Sequence, residues 1–389
     1  MSMRIAYLIG TLATQGGTAR MVTEKANMLA TELGYDVTII TTVQRQNEPN
    51  TYSLSEKVKQ VNLEIPFYSQ YNYKYPKRLW IKWSINRLMH KSVNEIVNSI
   101  NPDILLGIGQ YKADLVSSVK CRAKKIIECH EARVFTLAGF GKKLSFLSRI
   151  ILSIDRSRYF RAIERNADAI ATLTEEDKLL WKKAKRVDVI PNFSTMKVSK
   201  YSDCTNKRVI AVGRLEWEKG YGRLLEVWKI VSYRHPDWKL DIFGEGSLQS
   251  AMETIIRNNA IKNLEIHNFT HDISLEFTNS SICVLTSCYE GFSLVILEAM
   301  KHGVPCVAFN CPFGPGSIIQ DSLNGFLVND GDIRLFAERL CLMIEDTKMR
   351  KEFSQEAIKR AKVFNRDVVI NKWKKLFEEL TCLNHESES

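Results

Sequence analysis

Two glutamates eight residues apart, Glu290 and Glu298, stand in the segment Glu290-Gly291-Phe292-Ser293-Leu294-Val295-Ile296-Leu297-Glu298. The segment follows an apolar run over residues 282–286 and then Ser287-Cys288-Tyr289. That order predicts a strand, a loop carrying Glu290, and a helix begun by Ser293. Glu298 then falls inside an otherwise apolar helix, with Leu294, Val295, Leu297 and Met300 around it. A buried carboxylate needs a partner, and the hydroxyls of a ligand are suitable ones. Free backbone N–H groups over Phe292, Ser293, Leu294 and Val295 form a seat for an anion. The segment therefore offers a loop carboxylate, a phosphate seat and a hydroxyl-reading carboxylate. The plain alternative is that Glu298 faces solvent.

A second group of candidates lies in Val212-Gly213-Arg214-Leu215-Glu216-Trp217-Glu218-Lys219-Gly220. This stretch also follows an apolar strand pattern and precedes a helical one. Arg214 and Lys219 bracket a short loop at the carboxyl edge of a sheet, where open α/β folds bind ligands. Two cations there suit a diphosphate, and an arginine can fork two of its oxygens. The alternative is a pair of solvated surface cations.

The elements that must position these residues fall into two alternating series. In the first, strands fit residues 4–9, 35–41, 103–108, 124–129, 168–173 and 187–190. A loop with Gly16-Gly17 follows the first of them, and apolar residues then recur at helical spacing over 19–33. In the second, strands fit 208–212, 239–243, 264–267, 282–286 and 306–308. Helices fit 220–234, 248–259, 294–302, 333–346 and 366–380. Near-continuous apolar strands alternating with helices predict α/β domains with parallel sheets covered on both faces. Residues 194–206, polar and rich in turn formers, are the predicted linker. The expected organisation is a domain over 1–193, the linker 194–206, a domain over 207–365, and a last helix with a polar tail over 366–389, with a crossing back to the first domain left open.

At 389 residues, 45% hydrophobic and 25% charged, the chain can bury real cores without disulfide or metal staples. No apolar run approaches the ~20 residues of a membrane-spanning helix, and no signal peptide is expected. Nine scattered cysteines with no CxxC spacing suggest reduced thiols of a cytoplasmic protein. The charge is divided unevenly. Residues 1–195 hold 30 Lys+Arg against 18 Asp+Glu, whereas residues 196–389 hold 25 against 26. The basic half favours phosphate-rich or anionic partners.

Taken together, these motifs resemble the retaining glycosyltransferases of family 4. The pattern Gly213-Arg214…Lys219-Gly220, Phe243-Gly244-Glu245-Gly246, Glu290…Glu298 and Asn324-Gly325-Phe326-Leu327-Val328 has that family's order and spacing. Gly16-Gly17 and Ile190-Pro191-Asn192 match as well. The resemblance covers nearly the whole chain and is strongest over 207–345. It implies the GT-B fold, two Rossmann-like domains with parallel sheets facing across a cleft. It also implies transfer of a hexosyl or N-acetylhexosaminyl group from a nucleotide-sugar, a UDP-sugar in our reading. The acceptor would be a glycan or lipid-diphosphate-linked glycan of lipopolysaccharide or capsule biosynthesis. By resemblance Glu290 sits beside the transferred sugar and Glu298 holds the ribose. Arg214 and Lys219 hold the diphosphate, with the amides of Ser293, Leu294 and Val295. Gly16 and Gly17 close over phosphate and sugar. Asn268 and Phe269, in His267-Asn268-Phe269-Thr270, match the stretch whose backbone reads the base. His130, in Glu128-Cys129-His130-Glu131, matches a histidine near the transferred sugar; alone it would pass for a structural histidine. One departure is Gly316-Ser317, where relatives often carry an acidic residue after Gly-Pro, so donor-sugar preference does not transfer.

No metal site and no cofactor are expected. Asp330-Gly331-Asp332 looks like a metal-binding Asp-x-Asp but precedes a helix, so Asp332 is expected as an N-cap. There is no GxxxxGK[ST], and Gly107-Ile108-Gly109 lacks the rest of a dinucleotide fingerprint. A nucleic-acid-binding protein is a second class, motivated by the basic half, but no nucleic-acid module is recognisable. An epimerase or phosphorylase of the same fold is a third.

The segment 71–91, YNYKYPKRLWIKWSINRLMHK, interleaves Lys74, Lys77, Arg78, Lys82, Arg87 and Lys91 with aromatic residues and contains no acid. Leu79, Trp80, Trp83, Ile85 and Leu88 are expected as an apolar stripe beside the cations. Such a helix can lie in an anionic membrane surface. The expected location is cytoplasmic, peripheral to the inner face of the membrane. The alternative is an amphipathic helix packed on its own domain.

Overall fold

The computed structural model describes residues 2–14, 16–109, 113–133, 157–270 and 272–382. The chain divides into two compact units, residues 1–190 with 370–389, and residues 191–369. Each is built on a parallel sheet with helices.

In the first unit the strands are β1 (Arg4–Ile9), β2 (Asp36–Thr41), β3 (Val58–Asn62), β4 (Ile104–Ile108), β5 (Lys124–Glu128), β6 (Ala169–Thr172) and β7 (Val187–Val189). Their order across the sheet is β3-β2-β1-β4-β5-β6-β7. β1 is central, with Ile5 opposite Val37 on one side and Ile104 on the other. Its run RIAYLI is buried from Ile5 to Ile9, as a strand covered on both faces must be. The Gly17–Thr31 helix follows β1 directly.

The second unit has β8 (Arg208–Val212), β9 (Lys239–Phe243), β10 (Leu264–His267), β11 (Ile282–Leu285), β12 (Cys306–Asn310) and β13 (Gly325–Asn329), in the order β10-β9-β8-β11-β12-β13. Both sheets thus start at a central strand, run outward to one edge and return to the other side. This is the doubly wound order, and it opens a crevice at the carboxyl ends of the two strands flanking the reversal. Those strands are β1 and β4 in the first unit, β8 and β11 in the second.

Two strands escaped the sequence pattern. β3 is an edge strand whose VKQVN residues are mostly half-buried, so its composition is not apolar. β13 begins with a glycine and was visible only as a motif. Residues 194–206, expected as a linker, are packed on the second unit. Ser202 donates to the Ser280 carbonyl at 2.6 Å, Cys204 is 1% exposed, and the buried Arg350 donates to the Cys204 carbonyl at 3.0 Å. The Arg366–Cys382 helix contributes to the first unit from Ile370 onward, where Glu379 pairs with Arg186 at 2.5 Å. The polar tail expected over 384–389 lies outside the described residues.

The Lys77–Ile100 helix divides its apolar residues between two faces. Ile85, Met89, Val93 and Val97, four residues apart, are buried in the first unit's core. Each such side chain is worth about 1.5–3 kcal/mol. Leu79, Trp80, Trp83 and Leu88 remain outward, Trp80 at 64% exposure. Ile85 therefore leaves the expected surface stripe: the helical period places it with Met89, on the packed face.

Candidate functional site

The second unit gathers its predicted residues at the β8/β11 crevice. The loop after β8 ends in Gly220, at φ 65°, where an added Cβ would lie 2.0 Å from the Thr286 carbonyl oxygen. Glycine is required there both by the left-handed backbone and by the close approach of the strand β11 exit. That approach brings Lys219 onto Glu290: Nζ lies 2.7 Å from Oε1. Ser287 donates to the same carboxylate oxygen at 2.7 Å. Glu290 is 9% exposed. Gly314 lies against it, and a Cβ there would meet Glu290 Cβ at 2.5 Å. Burial, and next the Glu290 charge, push the Tyr221 hydroxyl well above the usual phenol range. That hydroxyl donates to the Gly213 carbonyl at 2.9 Å and so fastens the loop to its helix.

Arg214 is held differently. Its side chain is 63% exposed and pairs with Glu218 four residues on, at 2.7 Å. An exposed pair of this kind is weak and readily exchanged for a better anion.

Ser293 caps the Leu294–Lys301 helix from a left-handed backbone, φ 60° and ψ 75°. Its hydroxyl is buried and has no hydrogen-bond partner. A non-glycine residue in this region stores strain, here at the helix start where the amides of Leu294 and Val295 emerge. Phe292 is 2% exposed, with its ring against Phe364 at 5.4 Å. Its side chain is thus a core anchor, which leaves its backbone as the part that the anion-seat expectation concerns. Glu298 is buried at 6% exposure and accepts from Ser194 at 3.4 Å, so it does not face solvent. Lys301 donates to the carbonyls of Ser194 and Met196 at 2.7 and 2.8 Å, which fastens residues 194–196 to this helix.

At the β9–β10 edge, Asn268 is exposed and Phe269 is 55% exposed. The Phe269 amide donates to Glu245 at 3.2 Å. The turn is therefore preset by that contact. Asp332 caps the Ile333–Glu345 helix by accepting from the Leu335 amide at 3.0 Å, and Asp330 pairs with Arg223 at 2.6 Å. Both acids of the apparent Asp-x-Asp are thus engaged structurally. Asp241, Glu265 and His267 bring three possible metal-ligand atoms together. Asp241 is already neutralised there by Arg208 and by Lys239 at 3.1 Å.

The remaining predicted residues belong to the first unit. Gly16 precedes the Gly17–Thr31 helix, in extended backbone, and a Cβ on it would meet nothing within 4 Å. Gly16 is thus not demanded by packing. His130 follows β5, and its Nε2 lies 3.2 Å from Glu128 Oε1.

Sequence reasoning missed the residues that hold the named ones. Ser287 and Gly314 fix Glu290, Glu245 sets Phe269, and Glu128 stands beside His130. Glu128 was in view within the quoted segment, and a lone acid ending an apolar strand is the signal that could have marked it.

Residues 194–360 match the family model described as glycosyl transferases group 1. An uncharacterized glycosyltransferase of Haemophilus influenzae is 29% identical over 386 residues, covering 95% of this chain and 99% of the relative. The amylovoran biosynthesis glycosyltransferase AmsD of Erwinia amylovora is 26% identical, covering 95% of this chain and 98% of its own. Among solved structures, a mutant of S. aureus TarM in complex with fondaparinux, alpha-GlcNAc-glycerol and UDP superposes with a TM-score of 0.76 at 16% identity, covering 96% of this chain and 99% of that one. The fold, two Rossmann-like α/β units in one chain, is that of the GT-B glycosyltransferases.

Proposed function

From a chain that carries a glycosyltransferase domain, we propose a retaining enzyme that moves a sugar from a nucleotide-diphosphate donor, a UDP-sugar, to a glycan or lipid-linked glycan in cell-surface polysaccharide biosynthesis. The observation that carries the reading is the Lys219–Glu290 contact of 2.7 Å at the β8/β11 reversal, beside the strained start of the Leu294–Lys301 helix. Breaking the anomeric C–O bond puts negative charge on the departing phosphate and positive charge on the sugar ring. Fixed donors aimed at the phosphate lower that barrier most. Lys219, Arg214 and the amides of Leu294 and Val295 are those donors in this scheme. In this scheme Glu290, held by Ser287, stabilises the charge on the ring. Glu298 takes the ribose hydroxyls and the backbone of Asn268 and Phe269 reads the base. By the family resemblance, His130 and the Gly16-Gly17 loop are the first unit's candidates for contact with the donor's sugar and phosphate.

Support for the acceptor class comes from the names of relatives: AmsD is named for amylovoran biosynthesis, and a Campylobacter jejuni relative for transfer to an undecaprenol-diphosphate-linked glycan. Because the cations that neutralise the phosphate come from the chain itself, the scheme needs no metal, and EDTA is expected to leave activity intact. The reading is tested by incubating the protein with a panel of nucleotide sugars and following release of the nucleoside diphosphate. Slow hydrolysis of one UDP-sugar is expected, and its loss in Glu290→Gln. No release from any donor, with no calorimetric binding of any nucleoside diphosphate, would refute it.

A further inference from the structure

The first unit buries a full ion pair that the reaction scheme leaves unused. Lys25, on the Gly17–Thr31 helix, is 2% exposed, and Glu128, the last residue of β5, is 3% exposed. Lys25 Nζ pairs with Glu128 Oε2. The ammonium also stands over two aromatic faces, Trp373 at 4.1 Å and Tyr7 at 5.4 Å. Taking both charges out of water is costly, and a well-packed apolar pair of the same volume often does as well or better. A pair kept in such a place invites the question of what else it touches.

The two carboxylate oxygens of Glu128 face different partners. Oε2 takes Lys25, while Oε1 lies 3.2 Å from Nε2 of His130. The His130 side chain is 4% exposed, and its Nε2 has no aligned hydrogen-bond partner in this state. Contacts of this sort are commonly loose before substrate binds and tighten in the reacting complex. Lys25 lies eight residues beyond Gly17, on the helix that the glycine loop opens, and Glu128 lies two residues before His130. The pair therefore ties together the two loops of this unit that carry the predicted sugar-side residues.

We propose that Lys25 and Glu128 are positioning residues: a buried charged strut that holds His130 with its Nε2–H toward Glu128, leaves Nδ1 as the nitrogen offered to substrate, and sets the glycine-loop helix against the His130 loop. The proposal rests on the glycosyltransferase reading and on the place of His130 in it. Burial pushes the Glu128 carboxyl up, but Lys25 and then His130 pull it down further, to about 2. Glu128 is therefore an acceptor at any working pH, and an acceptor there favours the proton on Nε2. Burial lowers Lys25, and Glu128 opposes that, so each charge supports the other.

The test uses the full chain labelled with [15N]histidine, the His130 signals being assigned from His130→Ala. Two-bond nitrogen–proton spectra are expected to show the Nε2–H tautomer in the native protein and a mixed or Nδ1–H population in Glu128→Gln. Glu128→Gln alone leaves Lys25 without its counter-ion, so the neutral pair Lys25→Met with Glu128→Gln is measured beside it, and both are checked by thermal melting. With the nucleotide sugar that the panel shows to be turned over, both variants are expected to lose at least tenfold in kcat with KM changed no more than about twofold. Adding His130→Ala to Glu128→Gln should cost no more than His130→Ala alone, because the two residues act through one contact. An unchanged tautomer in the neutral pair, or losses that multiply independently, would overturn the strut directly. Full turnover in His130→Ala would overturn it through the reading on which it rests, and the tautomer spectra tell these two failures apart.

Discussion

Lys219 and Glu290 neutralise one another across 71 residues of sequence, and that pairing changes how each should respond to mutation. In the proposed scheme a diphosphate would share Lys219 with Glu290, the carboxylate and the phosphate meeting at the same cation. A charged hydrogen bond to phosphate is worth roughly 1.5–3 kcal/mol. Lys219→Ala is therefore expected to weaken UDP binding by about tenfold or more. Arg214→Ala should act in the same direction, since only an exposed pair with Glu218 is given up. Calorimetric affinities for UDP that match the native protein in both variants would remove the diphosphate clamp. The glutamates should separate. Glu298→Gln should chiefly weaken the nucleotide, because a hydroxyl donates better to a carboxylate than to an amide. Glu290→Gln should chiefly lower turnover, and the opposite split in binding and kinetics would reverse their roles. At this scale the sequence displays residue types and order well. It does not display partnership: nothing near Lys219 in the chain names Glu290, and Ser287 becomes meaningful only when its hydroxyl is found on the Glu290 oxygen. The burial of Glu298 was legible from its apolar neighbours, whereas its contact with Ser194 needed residues over a hundred positions away.

Strands and helices position these groups through a few tight approaches. The Pro315–Ile318 turn of helix begins beyond Gly314, whose missing side chain makes room for Glu290. In Gly314→Ala the new methyl would stand 2.5 Å from Glu290 Cβ, so the loop or the carboxylate must move. A displacement near 1 Å at a reacting group can cost on the order of a hundredfold in rate. The expected outcome is a kcat lowered at least tenfold with UDP affinity within about threefold, read by steady-state kinetics and calorimetry. A kcat near native would show that Glu290 does not need its present place. The elements themselves were largely readable. Strands such as β1, β8, β9 and β10 are long apolar or alternating runs, and their observed bounds coincide with the sequence pattern. β3 was not readable, because its VKQVN residues are mostly half-buried and carry no continuous apolar signal. The outer residues of the Lys77–Ile100 helix posed the reverse difficulty. Leucine and tryptophan at helical spacing read as one stripe, yet packing took Ile85 and left Trp80 and Trp83 outside.

Over the whole molecule the charge is divided, and the excess of cations in residues 1–195 meets an exposed aromatic surface in one place. Tyr68, Tyr71 and Tyr75 are 68, 55 and 71% exposed, next to the outward Leu79, Trp80, Trp83 and Leu88. Lys77 stands over the Tyr73 ring at 4.8 Å, Arg78 over Tyr71 at 4.5 Å and Arg87 over Trp83 at 5.6 Å. Rings and cations of this kind occupy the headgroup level of a bilayer, the rings taking the apolar boundary and the cations the phosphates. Among the described residues no helix is long and apolar enough to cross a membrane, so any attachment through these elements is to its surface. We propose that this face lays the first unit on an anionic membrane, where a lipid-linked acceptor would be found. Each cation near such a surface contributes on the order of 1 kcal/mol. Reversing Lys77, Arg78 and Lys82 to Glu removes three attractions and adds three repulsions, so it should cost more than roughly 3 kcal/mol, over about a hundredfold in partitioning. None of the three is placed in the sugar-transfer machinery, so hydrolysis of a soluble UDP-sugar should be unchanged in the triple variant. The native protein is expected to sediment with phosphatidylglycerol vesicles, to be released by salt as screening shortens to about 8–10 Å, and to leave phosphatidylcholine vesicles in the supernatant. Trp80→Ser with Trp83→Ser should lower the binding that remains at high salt, because that residue of affinity comes from the rings. Equal sedimentation with the two lipids, or a triple variant that binds as the native protein does, would leave the cationic aromatic face without this role.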